Sequence, residues 1–398
     1  MHRVMHIYLC MNAEGKNVKG GFAIKARALK AAIERFKEVV PKKAAKEYLT
    51  HLFLRQTGGR LELHGGDGEI YATLVIDVEP MGGNDVRVAV QYKQLTDFLK
   101  GLPENVMLKC MQTEGKDGAL NLLAESKYGR HTFRGTEFVD FQIEPEGDDY
   151  RVVAIKVADF RDIVASTAFA ADDSFFLNLH GIYFHFLPDK TNLVATNRYI
   201  LSLYERADLV FSGVKSVIVP VKALHGFVAG IKDAPDNDEV SMYVSEHCVL
   251  FSYGAFRLRT PVINSSFPDY QSVIPTDTPR VAIFELEKLR KAVKRMATVA
   301  NKKVPRIEFT FSGDIVELYT HNALNGVTGT ENVACKYGGD TLKIAFSAKL
   351  LLPVLENIKG ERIVMRMVGP HRSVVIEPET QTSPLNMLCL MMPLVESA

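Results

Sequence analysis

Apolar residues recur three or four positions apart in three separate stretches, the spacing that gathers side chains onto one face of an α-helix. In the stretch Leu286–Val299, Leu286, Leu289, Val293 and Met296 form a stripe while Lys288, Lys291 and Arg295 fall roughly opposite. The pattern has two counterparts: AIKARALKAAIERF from Ala23 and AIKVADFRDIVAST from Ala154 match IFELEKLRKAVKRM from Ile283. Leu29, Phe160 and Leu289 correspond, as do Lys30, Arg161 and Arg290, and then Ile33, Val164 and Val293. A second set of segments passes from strand alternation to helical spacing. VAVQYKQLTDFLKGL from Val88, VIVPVKALHGFVAGI from Val217 and IAFSAKLLLPVLENI from Ile344 align Lys93, Lys222 and Lys349, with Leu95, Leu224 and Leu351 two positions on. Between the two segments of each copy lies a strand pair whose turn holds Asp67, Asn197 or Asn322. The first two copies close alike, Phe138-Val139-Asp140-Phe141 answering Phe267-Pro268-Asp269-Tyr270. A period of about 130 residues, held in four features, marks an internal triplication.

Within the first copy the pattern predicts a helix over 25–39 that ends before Pro41, since a proline disfavours helical backbone in the residue before it. Strands are expected at 49–56, 60–64 and 71–78, separated by Gly58-Gly59 and Gly65-Gly66-Asp67-Gly68, then at 86–90 before a short helix over 92–100. Three more strands close the copy. The second copy predicts helices over 157–169 and 222–231, with strands at 176–178, 181–186, 193–196, 201–206 and 216–220 and three more up to Thr260. The stretch 261–279, rich in Pro, Ser, Asn and Asp, reads as the clearest domain boundary. Helices over 286–299 and 350–358 organise the third copy. Each unit is thus two helices on one face of about eight strands, an α+β fold of three tandem domains at 20–148, 149–276 and 277–398. Residues 1–19 precede the first copy as an extension, either an extra strand or a loose segment.

Length agrees with this division, because 398 residues exceed one ordinary core and three units fall at the usual domain size. Hydrophobic residues at 47% and charged residues at 24% describe a globular chain with no membrane span. The apolar run from Ile7 to Met11 is too short for a signal-peptide core. Five scattered cysteines, Cys10, Cys110, Cys248, Cys335 and Cys389, contain no CxxC pair and fit reduced thiols in a cytoplasmic protein. Net charge is only +1, which excludes a whole-molecule electrostatic argument for nucleic acid. Locally the balance differs: residues 23–43 hold seven basic side chains against Glu34 and Glu38, and 282–303 hold seven against Glu285 and Glu287. Such segregation suggests a basic surface on an otherwise acidic body.

The residues VATNRYILSL (194–203), FPDYQSVIP (267–275) and MMPL (391–394), in a triplicate order that covers 20–394, resemble the bacterial DNA polymerase III beta subunit, the sliding clamp. The resemblance implies a head-to-tail homodimer whose six domains close a ring around duplex DNA. Helices would line the hole and sheets would form the outer wall. Such a lining should bind phosphates and ignore bases, because phosphate attraction is independent of sequence and permits sliding. By position it implies DNA contacts from Lys25, Arg27, Lys30, Lys93, Lys100, Arg161, Lys222, Lys288, Lys291, Arg295 and Lys349, with Lys42, Lys43 and Lys46 on a basic loop. For any one lysine the competing reading is a solvated helix face, and in the middle helix Asp159 and Asp162 offset Lys156 and Arg161. The resemblance further implies an apolar pocket in which DNA polymerase, the clamp loader and repair proteins insert a short hydrophobic peptide. Its matching positions are Leu179, Thr196, Arg198, Tyr199, Leu201, Pro268, Val273, Leu390, Met392, Pro393 and Leu394; for Leu201 and Leu390 the alternative is interface core. The chain departs from the family where Ala-Thr-Asp-Gly-His-Arg-Leu becomes Ala195-Thr196-Asn197-Arg198-Tyr199-Ile200-Leu201 and where Val395 to Ala398 follow the usual end.

No phosphate-binding GxxxxGK[ST], HExxH, GxSxG or Cys/His zinc spacing occurs, so neither a metal nor a cofactor is expected. The Asp67 segment reads as a hairpin turn, and the Asp172-Asp173 pair as a solvated loop. The leading expectation is a non-catalytic processivity ring. An open, monomeric DNA-binding or polymerase-sequestering relative is the alternative, and a hydrolase or nuclease is a third.

Overall fold

The computed structural model describes residues 18–115, 118–136, 150–172, 176–211, 213, 215–381 and 385–395. The Phe138 to Phe141 closing motif, Asp173, Cys10 and nearly all of the 1–19 extension lie outside them, as does the 148/149 boundary.

The first copy runs β1 (Val18–Lys25), α1 (Ala26–Glu34), β2 (His51–Thr57), β3 (Arg60–Gly66), β4 (Tyr71–Asp77), β5 (Glu79–Gly83) and β6 (Val86–Gln91). It continues through α2 (Tyr92–Lys100), β7 (Met107–Glu114), β8 (Leu120–Ser126) and β9 (Gly129–Thr136). The second runs β10 (Arg151–Lys156), α3 (Val157–Thr167), β11 (Gly181–Phe186), β12 (Thr191–Thr196), β13 (Ile200–Arg206) and β14 (Val217–Pro220). It closes with α4 (Val221–Gly230), β15 (Glu239–Val244), β16 (Cys248–Tyr253) and β17 (Phe256–Pro261). The third runs β18 (Arg280–Glu285), α5 (Leu286–Val299), β19 (Arg306–Ser312), β20 (Ile315–Asn322), β21 (Val327–Ala334), β22 (Lys336–Gly338) and β23 (Leu342–Ser347). Last come α6 (Ala348–Asn357), β24 (Arg362–Met367), β25 (Val374–Pro378) and β26 (Leu385–Met391). A strand leads directly into each helix, and Lys93, Lys222 and Lys349 are each the second residue of theirs.

Two compact units arise from this order. One comprises 1–158 and 222–261, the other 159–221 and 262–398. The first holds a 13-stranded antiparallel sheet, ordered β10-β15-β16-β17-β4-β3-β2-β6-β9-β8-β7-β1-β5. Its β4 and β17 pair Leu74 with Phe256 and Ala72 with Leu258, joining strands of the first and second copies. Helices α1 and α2 pack against each other and on β1 and β6, burying Leu29, Ile33, Leu95 and Leu99. The second unit has a nine-stranded sheet, β14-β11-β12-β13-β26-β25-β24-β18-β22, and a four-stranded one, β21-β20-β19-β23. There α5 packs against α6 and on β19, β20 and β21 through the stripe Leu286, Leu289, Val293 and Met296, all buried.

Several element expectations need correction. Helix α1 ends at Glu34 rather than at residue 39; Phe36 N–H bonds Ile33 O and Val39 N–H bonds Phe36 O, so tighter turns carry Phe36, Val39 and Val40 into the core. Residues Leu177–Leu179 form a 3₁₀ turn where a strand was expected. Strand β5 was not foreseen: EPMGG is exposed throughout and lacks alternation, and its pairing with β1 defines it. The 261–279 stretch, read as a boundary, begins where the chain passes from the first unit to the second; within the second unit Ile263 N–H bonds Ile218 O and Tyr270 is 4% exposed.

Candidate functional site

The 196–201 turn is built by an asparagine. Asn197 Oδ1 accepts from the N–H groups of Tyr199 (3.0 Å) and Ile200 (2.9 Å), and Thr196 Oγ1 donates to Ile200 O (2.7 Å) and accepts from Arg198 N–H (3.1 Å). Asp67 builds the matching turn of the first copy, accepting from Glu69 N–H and Ile70 N–H at 2.9 and 2.8 Å. In both turns the next residue is left-handed, Gly68 at φ +107° and Arg198 at φ +76°. Arg198 is the only non-glycine residue with positive φ among the described residues, a conformation costing about 1 kcal/mol or more in an L-residue.

Past the turn, β13 pairs with β26 so that Leu201 stands opposite Leu390, and Met392 N–H bonds Tyr199 O at 2.8 Å. The 267–273 loop closes the other side. Tyr270 OH accepts from Asn192 Nδ2 (2.8 Å), which leaves its own proton for His185 Nδ1 (2.8 Å). Phe267 stacks on Tyr183 with centroids 4.8 Å apart. Burial holds His185 below the usual imidazole range and pushes the Tyr270 phenol up. Both directions agree with a neutral pair.

These elements enclose a mainly apolar pocket of about 210 Å³. Nine of the expected positions line it: Leu179, Thr196, Arg198, Tyr199, Leu201, Pro268, Val273, Leu390 and Met392. Leu201 and Leu390 are each 5% exposed and belong to a core cluster with Val194, Leu203, Tyr270 and Val375, so each is core and pocket floor at once. Tyr199, Val273 and Met392 form an exposed rim. Pro393 is buried and Leu394 N–H bonds Ala345 O at 2.7 Å; neither lines the pocket. Ile200, Asp269, Tyr270 and Ser373 line it without having been singled out. Three of them lie inside the quoted motifs. Ser373 gives no sequence signal, since it arrives through the pairing of Val374 with Met391.

Apart from Arg161, which also has an interaction partner, the cationic candidates divide into two groups. All are exposed except Lys30 and Arg161, which are half-buried. Arg27 lies 3.9 Å from Glu104, Lys100 3.2 Å from Asp97 and Lys288 2.8 Å from Glu285, while Lys222 pairs with Asp67 and Arg295 with Glu331. Lys25, Lys30, Lys42, Lys43, Lys46, Lys93, Lys291 and Lys349 have no carboxylate partner among the described residues. The acidic groups of α3 are engaged as well. Asp159 pairs with the buried Arg206 (3.2 Å), and Asp162 accepts from Tyr204 OH (2.7 Å) and pairs with Lys359.

Among the described residues no three His, Cys, Asp or Glu side chains are placed to hold a metal ion, and no helix is long and apolar enough to cross a membrane. Burial pushes the thiols of Cys110 and Cys389 up to about 12 and that of Cys335 up to about 11, which leaves them protonated and inert.

A triplicated α+β unit with basic helix faces and an apolar surface pocket defines a protein of the sliding-clamp class. Residues 154–269 match the central domain of the DNA polymerase III beta subunit and 271–393 match its C-terminal domain. The chain belongs to that family as a divergent member. It is 25% identical over 359 residues to the beta sliding clamp of Pseudomonas aeruginosa, covering 89% of this chain and 95% of the relative. The beta sliding clamp of Caulobacter vibrioides is 26% identical over 368 residues, with the same coverage. Among solved structures, a Pseudomonas aeruginosa DNA polymerase sliding clamp superposes with a TM-score of 0.84 at 22% identity, over 95% of this chain and 100% of that one. A sliding clamp from Bartonella birtlesii bound to griselimycin gives 0.86 at 20% identity over the same shares.

Proposed function

We propose that this chain closes head to tail with a second copy around duplex DNA, in the cytoplasm, and performs no catalysis itself. Through its apolar pocket it tethers DNA polymerase, the clamp loader and repair proteins. The observation that carries the reading is the recurrence of one cation, Lys93, Lys222 and Lys349, at the second residue of the second helix in all three copies. Lys222 holds Asp67, whereas Lys93 and Lys349 have no carboxylate partner among the described residues; a cation that recurs although two copies have no internal use for it fits a ligand that repeats, as phosphates do along a duplex. The three domains proposed for each chain follow the same repeat.

An exposed edge supports the dimer. Strand β21 ends its four-stranded sheet with most of its residues exposed, and an unpaired edge invites pairing with another chain. Closure of two identical chains satisfies such edges without leaving new ones.

Topology tests the ring. Protein loaded onto nicked circular DNA should stay bound in high salt and slide off once the circle is cut, and equal loss from both forms would reject encirclement. The internal ion pairs of Arg27, Lys100, Lys222, Lys288 and Arg295 favour the second reading, an open monomeric relative with a weaker hold on DNA. Solution mass separates the two: twice the 44.3 kDa of the chain is expected, and a stable monomer at micromolar concentration would favour the relative.

A further inference from the structure

We propose that Arg198 makes the pocket selective for apolar peptides that carry a carboxylate side chain beside the anchoring residue. The inference rests on reading the pocket as a partner-peptide site and adds what that partner must contain. The turn itself needs no arginine: in the first copy its left-handed position is filled by Gly68, which adopts that backbone without strain. What the side chain does is therefore the question.

Its guanidinium centre lies 4.4 Å over the ring of Phe176 and 5.8 Å from the ring centre of Tyr199. Aromatic faces hold a guanidinium by its plane and leave the edge donors free. Among the described residues those donors make no hydrogen bond and no ion pair. Asp269, the one carboxylate in the lining among the described residues, is engaged by its own loop, accepting from Gln271 N–H (3.2 Å) and Ser272 N–H (3.4 Å). The pocket thus sets an oriented cation, without a counter-ion among the described residues, beside Leu179, Leu201, Leu390 and Met392. A peptide that buries a Leu or Phe there brings its neighbouring side chains to the guanidinium, and a carboxylate would form a charge-assisted, bidentate pair that an amide cannot.

The test uses four fluorescein-labelled, C-terminally amidated peptides and the full-length protein. Two place the acid before the anchor, Ala-Asp-Leu-Phe-Ala and its Asn counterpart, and two place it after, Ala-Leu-Phe-Asp-Ala and its Asn counterpart. Fluorescence anisotropy should show about a five- to tenfold preference for Asp over Asn in at least one order, the range of an exposed charged hydrogen bond. The preference should shrink with added salt and fall below about twofold in Arg198→Gln and in Arg198→Gly, both of which keep the anchor interaction. Arg198→Gly relieves the backbone, so its melting temperature should equal or exceed that of the parent and a folding defect cannot explain its loss. If every Asp peptide binds like its Asn partner while all bind, the pocket reading stands and this inference is overturned. If no peptide binds at millimolar concentration, both fall.

Discussion

Leu201 and Met392 share the pocket but answer to different forces. Leu201 is 5% exposed and Met392 42% exposed, so truncating the first opens a cavity while truncating the second removes mainly rim contact. Leu201→Ala should cost about 2–4 kcal/mol of stability and Met392→Ala less than about 1 kcal/mol. Both should weaken binding of a Leu-Phe peptide at least tenfold without changing the solution mass. Normal binding by the folded Met392→Ala protein would remove the pocket assignment. His185 gives a prediction of a different kind. Its folded pKa lies below the unfolded value near 6.5, so the unfolded chain takes up the proton first as pH falls. The urea midpoint should hold above pH 6.5 and decline as pH drops through 6.5 toward the folded value, more steeply than in His185→Gln. Identical slopes from pH 7.5 to 5.5 would show that this ring does not titrate on unfolding. At this scale the sequence carried most of the pocket, since Thr196 to Leu201, Pro268, Val273 and Met392 sit in motifs and Leu390 lies one residue before one. It did not reveal that Arg198 is left-handed, because an Asx turn demands a backbone shape and not a residue type.

Helices α5 and α6 show how ion pairing sorts a basic face. Lys288 and Arg295 hold Glu285 and Glu331, whereas Lys291 and Lys349 hold none among the described residues. Exposed pairs contribute at most about 1 kcal/mol each, yet each already satisfies one cation. Lys291→Glu together with Lys349→Glu should therefore weaken DNA retention more than Lys288→Glu with Arg295→Glu, read from filter binding at low salt with unfolding midpoints as control. Equal losses would mean that the pairs open freely on DNA. Elements followed from local pattern wherever burial repeats regularly, as in α5, and failed where a partner strand decides. Glu79 to Gly83 has no stripe of its own, and Phe176 to Asn178 has strand-like residues in a turn set by backbone bonds such as Leu179 N–H to Phe176 O.

For the whole molecule, the triplication was legible because helix stripes and turn residues are local signals repeated at a fixed interval. The arrangement into two compact units was not, since it depends on strands more than a hundred residues apart, β4 with β17 and β13 with β26. The chain crosses from one unit to the other after Ala158, after Val221 and after Pro261. One backbone break in the exposed 236–238 turn would therefore leave pieces of both units on each fragment. A chain cleaved at a protease site inserted between Asp236 and Asn237 should elute as a single particle in native buffer and as two polypeptides in denaturant. Two native particles would show that the interlaced strands do not hold. The middle repeat thus lends a helix and several strands to each unit, and a single cut near its centre would sever both at once.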